Sequence, residues 1–278
     1  MAVIRTLVSG YGHWGKVLTR NLLDDPDYFV AGVHDPSAEA RAAAEAINLP
    51  TFERLGDALD ALPISLVVIA SPIGLQYQTA ITALSRYLNV MLAKPGVTSI
   101  ADLDRIDALA KKKGRVAVID YTMRNSVAFD ALCRDARGMG DLQHIECERF
   151  SVSSRSSASI LHDMTVHDIA LVYALRDSAW DIVGVDKGDE YLRVVLRSGE
   201  CWAVLTAGTD AIDPVRRMCV TGSLGSSEWD QLQADGADAS DSPVSRSLAR
   251  VSAAIRQHDH DMTFERKVTT LLEKIDAA

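Results

Sequence analysis

The chain has 278 residues, 47% of them hydrophobic and 24% charged, which is typical of a globular protein with one large or two modest domains. Its formal net charge is -9 at pH 7 and its longest basic run is Lys111–Lys113, which argues against a nucleic-acid-binding protein. The longest apolar stretch, residues 64–70, is too short to cross a membrane.

The N-terminus and the cysteines predict the compartment. The first apolar run is interrupted by Gly10–Gly15, unlike the apolar core of a secretory signal. The cysteines are widely spaced and form no C-x-x-C pair, as in proteins of reduced compartments. We therefore expect a cytoplasmic protein without a disulfide framework or a zinc site. The four positions are Cys133, Cys147, Cys201 and Cys219.

The first 121 residues alternate strand-like runs with helical stripes. The run Leu66–Ala70 is continuous and rich in β-branched residues, which is typical of a parallel strand covered on both faces. Repeated strand–helix units with short loops predict a doubly wound, right-handed parallel sheet. The predicted strands are 3–8, 29–34, 66–70, 89–92 and 116–119, and the predicted helices are 17–23, 38–47 and 100–113.

The pattern changes after Tyr121. The alternation in Tyr191–Leu196 is typical of an antiparallel strand with one buried face. A serine-rich loop at 151–159 precedes a predicted helix, and an acidic loop at 235–247 precedes the C-terminal helices. The predicted helices are 126–137, 159–175, 244–256 and 262–275, and the predicted strands are 144–152, 180–185, 191–196, 201–207, 216–221 and 226–232.

A glycine motif follows the first strand. Gly10, Gly12 and Gly15 have the G-x-G-x-x-G spacing, between a strand and a helix, that a dinucleotide site requires. Gly10 would make the tight turn, Gly12 would let a pyrophosphate approach the backbone, and Gly15 would let the helix close onto the strand. His13 and Trp14 lie within this loop, and we expect them to contact the cofactor as well. An ordinary tight turn is the alternative interpretation.

Asp35 lies 20 residues after Gly15, at the end of the second predicted strand. A carboxylate there would accept a hydrogen bond from the adenosine ribose and repel a 2′-phosphate, which favours NAD over NADP. The alternative is that Asp35 only opens a turn. Arg41 follows within two helical turns, so NADP stays open as the cofactor.

Two further loops follow predicted core strands at their carboxyl ends, where α/β sheets bind ligands. Ser71 and Pro72 follow the third strand, Lys94 and Pro95 follow the fourth, and we expect these four residues to contact the cofactor. Pro95 biases Lys94 toward an extended conformation at the end of its strand. A plain turn and a solvated lysine are the respective alternatives.

Asp163 and His167 are four residues apart in a predicted helix and so share a face. A carboxylate beside an imidazole suits general acid–base chemistry near neutral pH, although a structural pair is an equal alternative. We predict no metal site. His162 and His167 are too far apart around a helix to share an ion, and we interpret the histidine–aspartate run 258–261 as a polar loop and N-cap.

Together these segments resemble the glucose–fructose oxidoreductase / inositol dehydrogenase family (Gfo/Idh/MocA) of NAD(P)-dependent enzymes. The resemblance covers nearly the whole length. It includes the glycine loop and the segments Val67–Pro72, Leu92–Gly96, Met123–Asn125 and Leu161–Asp168. It implies an α/β Rossmann nucleotide-binding domain at 1–121, followed at 122–278 by an α+β domain with an open, mainly antiparallel sheet. The second domain would bind substrate and form a homodimer or homotetramer through its sheet.

The resemblance also implies roles for individual residues. Lys94 matches the lysine of the family's Glu-Lys-Pro motif, and Asp163 and His167 match its Asp-x-x-x-His pair. Lys94 and His167 would hydrogen-bond the reacting oxygen, and His167 would move the proton. The positions expected to contact substrate are Tyr121, Arg124 and Arg155.

The sequence departs from the family in specific places. Ala93 stands where the family has the glutamate before the lysine, and Gln76 stands where it has a histidine. Residues 156–159 replace a glycine-rich approach to Asp163. The resulting prediction is an NAD(P)-dependent oxidoreductase that transfers a hydride between nicotinamide and a carbinol or ketone carbon of a small polyol, sugar derivative or related metabolite. A biosynthetic imine or keto reductase and a non-catalytic NAD(P)-binding regulator are the open alternatives.

Overall fold

The computed structural model describes residues 2–152, 159–209, 211–234 and 241–278. The chain divides into two compact units. The first comprises Met1–Asp120 with Val244–Glu265, and the second comprises Tyr121–Pro243 with Arg266–Ala278. One boundary between the units lies between Asp120 and Tyr121, and Val244–Glu265 groups with the first unit.

The first unit contains a six-stranded parallel sheet in the order β3-β2-β1-β4-β5-β6. Every residue of Leu66–Ile69 is buried, as expected for a central strand covered on both faces. The two-residue edge strand β3 carries too few residues for a periodic signal. The strands are β1 Ile4–Ser9, β2 Tyr28–His34, β3 Thr51–Phe52, β4 Leu66–Ile69, β5 Asn89–Ala93 and β6 Ala117–Asp120.

Helices connect these strands. The last one before β6 ends at Lys113, where Gly114 adopts a left-handed conformation at φ 60°, as a C-terminal glycine cap does. Its final turn holds the three lysines of the basic run, which complement the helix dipole. The helices are α1 His13–Asp24, α2 Ala38–Glu45, α3 Leu55–Ala61, α4 Ile73–Ser85 and α5 Ile100–Lys113.

The helix α9, Pro243–Gln257, explains why the 244–265 segment groups with the first unit. Its buried residues Val244, Leu248 and Val251 belong to the same core cluster as β1 and β2. The Tyr28 hydroxyl donates to the Leu248 carbonyl oxygen at 2.6 Å. Apolar spacing predicts that a helix is amphipathic, but it does not specify which sheet its apolar face covers.

The second unit contains a six-stranded mixed sheet in the order β12-β11-β7-β10-β9-β8. Its pairs are antiparallel except β7 with β10, which run parallel. This agrees with the predicted mainly antiparallel sheet. The strands are β7 Leu142–Phe150, β8 Asp181–Lys187, β9 Tyr191–Ser198, β10 Cys201–Gly208, β11 Val215–Gly222 and β12 Gly225–Asp230.

The helices of the second unit contribute to its core, and α6 and α7 contact the sheet. A short 3₁₀ helix, Thr122–Asn125, precedes α6, and a π-helical turn, Leu161–Thr165, leads into α7. None of the helices in the described part of the chain is long and apolar enough to cross a membrane. The remaining helices are α6 Val127–Gly138, α7 Val166–Leu175, α8 Gln231–Ala234 and α10 Thr263–Ala277.

Candidate active site

The glycine loop connects β1 to α1, and two of its glycines are required by sterics. Gly10 has φ +95°, and a Cβ there would lie 2.5 Å from the Ser71 backbone nitrogen. A Cβ on Gly15 would overlap the Gly10 carbonyl oxygen. Any side chain at either position would therefore displace the backbone of the loop. These contacts are those of a tight turn with a helix packed closely on a strand.

Gly12 differs from its neighbours because the space around it is open. It is exposed, and a Cβ there would meet no described atom within 4 Å. Gly12 is also the N-cap of α1, and the helix has neither a capping side chain nor an acidic residue in its first turn. His13 is exposed and Trp14 is half-buried in that turn. The N–H groups of this helix end suit an anionic group such as a pyrophosphate.

Asp35 follows β2 and is bonded to the glycine loop. Its Oδ2 accepts a hydrogen bond of 2.7 Å from the Tyr11 backbone N–H, and its Oδ1 accepts one of 2.8 Å from the Ser37 N–H. Each carboxylate oxygen can accept further bonds. Asp35 thus both opens a turn and fixes the glycine loop, and it remains able to accept a hydrogen bond from a ribose hydroxyl.

NADP stays open as the cofactor in the sequence because Arg41 follows Asp35 within two helical turns. Its guanidinium donates to the Asp35 and Pro36 carbonyl oxygens at 2.9 and 2.8 Å, and it contacts Glu53 at 3.3 Å. These bonds hold Arg41 against the protein's own backbone. The arrangement therefore favours a dinucleotide that ends in a free ribose over one with a 2′-phosphate.

His34 lies beside Asp35 at the end of β2. Its Nδ1 is 2.9 Å from the Ser9 hydroxyl. Burial lowers the pKa of His34, against the opposing effect of the Asp35 charge. The nitrogen–hydroxyl contact ties the carboxyl ends of β1 and β2 together beneath the loop that they support.

Ser71 and Pro72 connect β4 to α4, and Pro72 is the N-cap of that helix. Gln76, one turn into α4, is 3% exposed, and its Nε2 donates to the Ser71 carbonyl oxygen at 3.0 Å. The loop lies against the glycine loop, as the Gly10 geometry shows. Gln76 is the neighbour of this loop for which sequence spacing alone gave no role.

Lys94 and Pro95 follow β5 directly, joined by a cis peptide bond. Lys94 is half-buried and Pro95 is buried. Gly96 has φ +75°, and a Cβ there would lie 2.6 Å from Ile119 side-chain atoms. The lysine therefore starts from a buried strand end held in a tight turn, unlike a surface lysine on a solvated loop.

Asp163 and His167 belong to the second unit. Asp163 lies in the π-helical turn and His167 in the first turn of α7. Both are half-buried, while residues 164–166 and 168–170 are buried, so the two side chains occupy the accessible side of this segment. π-Helical turns inside α-helices occur frequently at functional sites.

Asp168, the residue after His167, anchors this turn in the core. Its Oδ1 accepts from the Arg149 guanidinium at 2.7 Å, and Arg149 also bonds the Gln231 side chain at 3.3 Å. The Arg149 and Asp168 side chains are 4% and 3% exposed. Removal of either partner would leave a buried charge unpaired, so this pair fixes the position of the helix that carries His167.

The predicted substrate contacts lie in different places. Tyr121 is 4% exposed, and Arg124 is half-buried in the 3₁₀ helix before α6. Arg155 and most of the serine loop lie outside the described residues. Their roles in substrate binding remain predictions.

The described ranges contain no group of three or more His, Cys, Asp or Glu side chains that could hold a metal ion. In the 258–261 run, Asp261 accepts a 2.9 Å hydrogen bond from the Thr263 N–H at the start of α10. His260 Nδ1 accepts from the Ala117 N–H at 3.2 Å, and its Nε2 is 2.9 Å from Asp107. This run therefore has a structural role, as its interpretation as a loop with a cap predicts.

The comparisons with known proteins agree with this geometry. Residues 4–121 match the family model GFO_IDH_MocA, described as an oxidoreductase family with an NAD-binding Rossmann fold. Residues 4–121 are thus similar to the Gfo/Idh/MocA family. The resemblance inferred from the sequence is thereby confirmed, as is the Rossmann fold of the N-terminal domain.

Two curated relatives are named for nucleotide-linked sugars. One is a protein of Amycolatopsis mediterranei named as a UDP-kanosamine synthase oxidoreductase subunit, 26% identical over 76% of this chain. The other is dTDP-3,4-didehydro-2,6-dideoxy-alpha-D-glucose 3-reductase of Streptomyces violaceoruber, 29% identical over 62% of this chain. The matches span 62% and 54% of the lengths of these relatives.

A solved structure shows that the fold extends over the whole chain. GenD2 from gentamicin A biosynthesis, in complex with NAD, superposes with a TM-score of 0.91 over 100% of this chain and 93% of its own. The sequence identity is 16%. The two-unit architecture is therefore shared, although at this identity the likeness concerns the fold only.

The residues present fit NAD as the cofactor. The open space at Gly12 and the uncapped start of α1 suit the pyrophosphate, and Asp35 suits the adenosine ribose. The strand order reverses between β1 and β4, which is where dinucleotides bind in doubly wound sheets. The family match, the strand order and the loop geometry together identify the N-terminal unit as an NAD-binding Rossmann fold.

Proposed function

We propose that this protein is an NAD-dependent oxidoreductase that transfers a hydride between nicotinamide and a carbinol or ketone carbon of a small polyol or sugar derivative. The observation that carries the proposal is the NAD-binding family match together with Lys94 at a buried strand end and Asp163 with His167 on one accessible helix face. A protein that only binds NAD for regulation has no need of an acid–base pair.

The proposed roles follow from the chemistry of these side chains. In the oxidation direction the carbinol C–H leaves as hydride, and bound NAD accepts that hydride. His167 takes the hydroxyl proton as the carbonyl forms, and Lys94 stabilises the developing alkoxide with its positive charge. Asp163 orients the substrate or the imidazole. In the reduction direction His167 returns the proton to the oxygen.

The relatives support a sugar derivative as the substrate. Both curated relatives carry names that place their action on nucleotide-linked sugars. We propose that Tyr121, Arg124 and Arg155 contribute to binding such a polyhydroxylated substrate. Arginine donates several hydrogen bonds in a fixed planar arrangement, which suits hydroxyl and phosphate oxygens.

The second sheet supports an oligomer. In β9 the residues Leu192, Val194 and Leu196 are buried, while the opposite face carries Tyr191, 42% exposed. Trp202 on β10 is 37% exposed on its strand. We propose that this face joins two or four copies of the chain, since exposed aromatic groups on a sheet commonly mark an interface. Light scattering tests the interface, because the Trp202→Glu variant is expected to have a lower molar mass in solution than the wild-type protein.

We propose that the protein works in the cytoplasm. The four cysteines are free, and burial raises the pKa of Cys133 to about 11. Such thiols are stable in a reducing compartment.

The test is a substrate panel read by the absorbance of reduced nicotinamide. The panel contains polyols, free sugars, UDP- and dTDP-linked sugars and 3-keto sugars, keto acids and cyclic imines, each with NAD or NADH. The proposal expects turnover with a polyol or sugar member. Turnover confined to cyclic imines would reassign the reaction, and no turnover with confirmed NAD binding would indicate a regulatory protein.

A further inference from the structure

Asp120 is a buried carboxyl group that the proposed mechanism does not yet use. It is the last residue of β6 and is 3% exposed. Its Oδ1 accepts a hydrogen bond from the Ser247 hydroxyl of α9. Aspartate is almost never buried to this degree unless it is paired, because a hydroxyl satisfies only part of a carboxylate. A cation in the same part of the sheet would therefore stabilise the ionised form of Asp120.

The neighbouring strand end carries such a cation. In the parallel pair of β5 with β6, Ala93 is the register partner of Asp120, and Lys94 is the next residue along the chain. Paired strands lie about 4.8 Å apart, so Asp120 lies beside the strand end from which the Lys94 side chain starts. Because Ala93 and Asp120 are both buried, charges at this edge interact through less water than charges on the protein surface do.

The position of Asp120 also coincides with a departure of this sequence from the family that it resembles. Ala93 stands where that family has a glutamate. The strand register places Asp120 directly across from this position. The chain therefore carries a carboxylate at the same level of the sheet edge, one strand away from the position of the glutamate.

The other elements that pack on β5 in the first unit carry few titratable groups. β4 lies on the other side of β5 and is followed by the uncharged residues Ala70–Pro72. α4 contains no Asp, Glu, Lys or His, and Tyr77 is its titratable residue. α9 shares a core cluster with Met91 of β5, and its charged residues are arginines, which stay protonated. Asp120 is thus the acidic residue that these elements place beside Lys94.

We propose that Asp120 is a positioning residue whose buried carboxylate keeps the Lys94 ammonium protonated and in place for the reacting oxygen. This inference rests on the proposed function and adds to it a residue that acts through Lys94. The role proposed for Lys94 requires the ammonium form, since only that form carries the charge that stabilises a developing alkoxide. An opposite charge nearby favours the charged form of a titratable group.

Acetylation measures the protonation of Lys94 directly. A short pulse of acetic anhydride modifies only the neutral amine, and Lys94 is half-buried and so within reach of the reagent. Mass spectrometry of the peptide that contains Lys94 then gives the pH at which half of this residue is deprotonated. Asp120→Asn keeps the shape of the side chain and an acceptor for Ser247, and should lower this midpoint by about one pH unit. An unchanged midpoint would overturn the proposal.

Three matched variants separate the charge of Asp120 from its contribution to the fold. Asp120→Ser is neutral but has a different shape, and should lower the midpoint as much as Asp120→Asn does. Ser247→Ala removes the hydrogen bond and leaves the carboxylate, so the midpoint should stay within about 0.3 pH unit of wild type. Asp107→Asn removes another buried carboxylate of the first unit, which is bonded to Lys111 and His260, and should also leave the midpoint unchanged. An equal shift in Asp107→Asn would overturn a specific role for Asp120.

Kinetics connect this measurement to the reaction. In Asp120→Asn the alkaline limit of turnover should move to lower pH by the same amount as the acetylation midpoint, with NAD affinity as in wild type. Asp163 and His167, which the proposed mechanism assigns to the same reacting oxygen, are unchanged in this variant. A shifted midpoint with an unshifted turnover profile would overturn the role of Asp120 in the reaction. Absence of turnover in wild type would instead contradict the proposed function, while the acetylation midpoints would still show whether Asp120 acts on Lys94.

Discussion

The glycine loop and the Asp163–His167 turn build function in opposite ways. At the glycine loop the absence of side chains matters, because Gly10 and Gly15 allow backbone contacts that a Cβ would prevent. At the other segment the side chains themselves carry the proposed reaction, and buried neighbours such as Asp168 hold them in place. The comparison teaches that the proposed cofactor binding depends on backbone shape, whereas the proposed reaction depends on two or three side chains.

Lys94→Ala is expected to have the largest effect on turnover and to separate turnover from NAD affinity most clearly. Removal of a group that stabilises the developing alkoxide should lower turnover by about 10²-fold or more. NAD affinity should change little, since the glycine loop and Asp35 are untouched. Steady-state kinetics and NAD titration on the same preparation measure both. Equal losses of turnover and NAD affinity would show that Lys94 acts through cofactor binding and not on the reacting oxygen.

Gly12→Ala tests the backbone side of the comparison. The open space around Gly12 and its φ of -69° leave the cofactor-free fold undisturbed by a methyl group. In the complex the same methyl group would meet the pyrophosphate, so NAD affinity should fall about 10- to 100-fold. Calorimetric titration gives the affinity and thermal unfolding gives the stability. Wild-type affinity for NAD in this variant would place the pyrophosphate elsewhere.

Asp35→Asn tests the choice between NAD and NADP. Asp35 is a side chain that contributes to the cofactor site beside the glycine loop. The amide keeps one acceptor oxygen for the Tyr11 N–H, gives up the bond from the Ser37 N–H, and removes the charge that repels a 2′-phosphate. The ratio of NADPH to NADH affinity should rise by about ten-fold, because like charges placed together in a binding site cost well over 1 kcal/mol. Wild-type protein that binds NADPH more tightly than NADH would refute the preference for NAD.

Substitution of Asp107, which lies in neither region, is expected to have the smallest effect, and that effect is on stability. Burial opposes ionisation of Asp107, but hydrogen bonds from Lys111 and His260 outweigh it and lower the pKa of the carboxyl. A depressed carboxyl pKa stabilises the fold above the unfolded-state pKa, and this stabilisation is lost as the pH falls through the folded pKa.

Urea unfolding of Asp107→Asn measures that contribution. The variant should be less stable than wild type by about 1–2 kcal/mol at neutral pH, and the difference should shrink below about pH 4. Asp24→Asn, at the exposed end of α1, is the matched control and should unfold at the same urea concentration as wild type at neutral pH. A constant difference across the pH range would show that the carboxylate charge is not involved.

Much of the fold and of the cofactor site could be predicted from sequence, because both depend on local patterns. The apolar run Leu66–Ala70 predicted the central strand, and the spacing of Gly10, Gly12 and Gly15 predicted the loop, now supported by the family match. In contrast, the pattern could not assign α9 to the first unit, because an amphipathic stripe fits any apolar surface. The parallel pairing of β7 with β10 could not be predicted from the sequence either, because it joins strands that are distant in sequence.

The site shows the same limit. The sequence placed Asp163 and His167 on one helix face, but the π-helical turn and the Arg149–Asp168 pair behind it emerge only from three-dimensional packing. Gln76 was visible only as a departure from the family. Its buried position could not be predicted, because burial depends on neighbours that the sequence does not name.

The most direct test of the proposed acid–base mechanism is the turnover of His167→Ala with the best substrate of the panel, measured beside its NAD affinity. The account predicts that turnover falls by about 10²-fold or more while NAD binds as in wild type, because His167 moves the proton and the Rossmann unit binds the cofactor. Turnover equal to wild type would contradict the proposed role of His167 and with it the proposed mechanism.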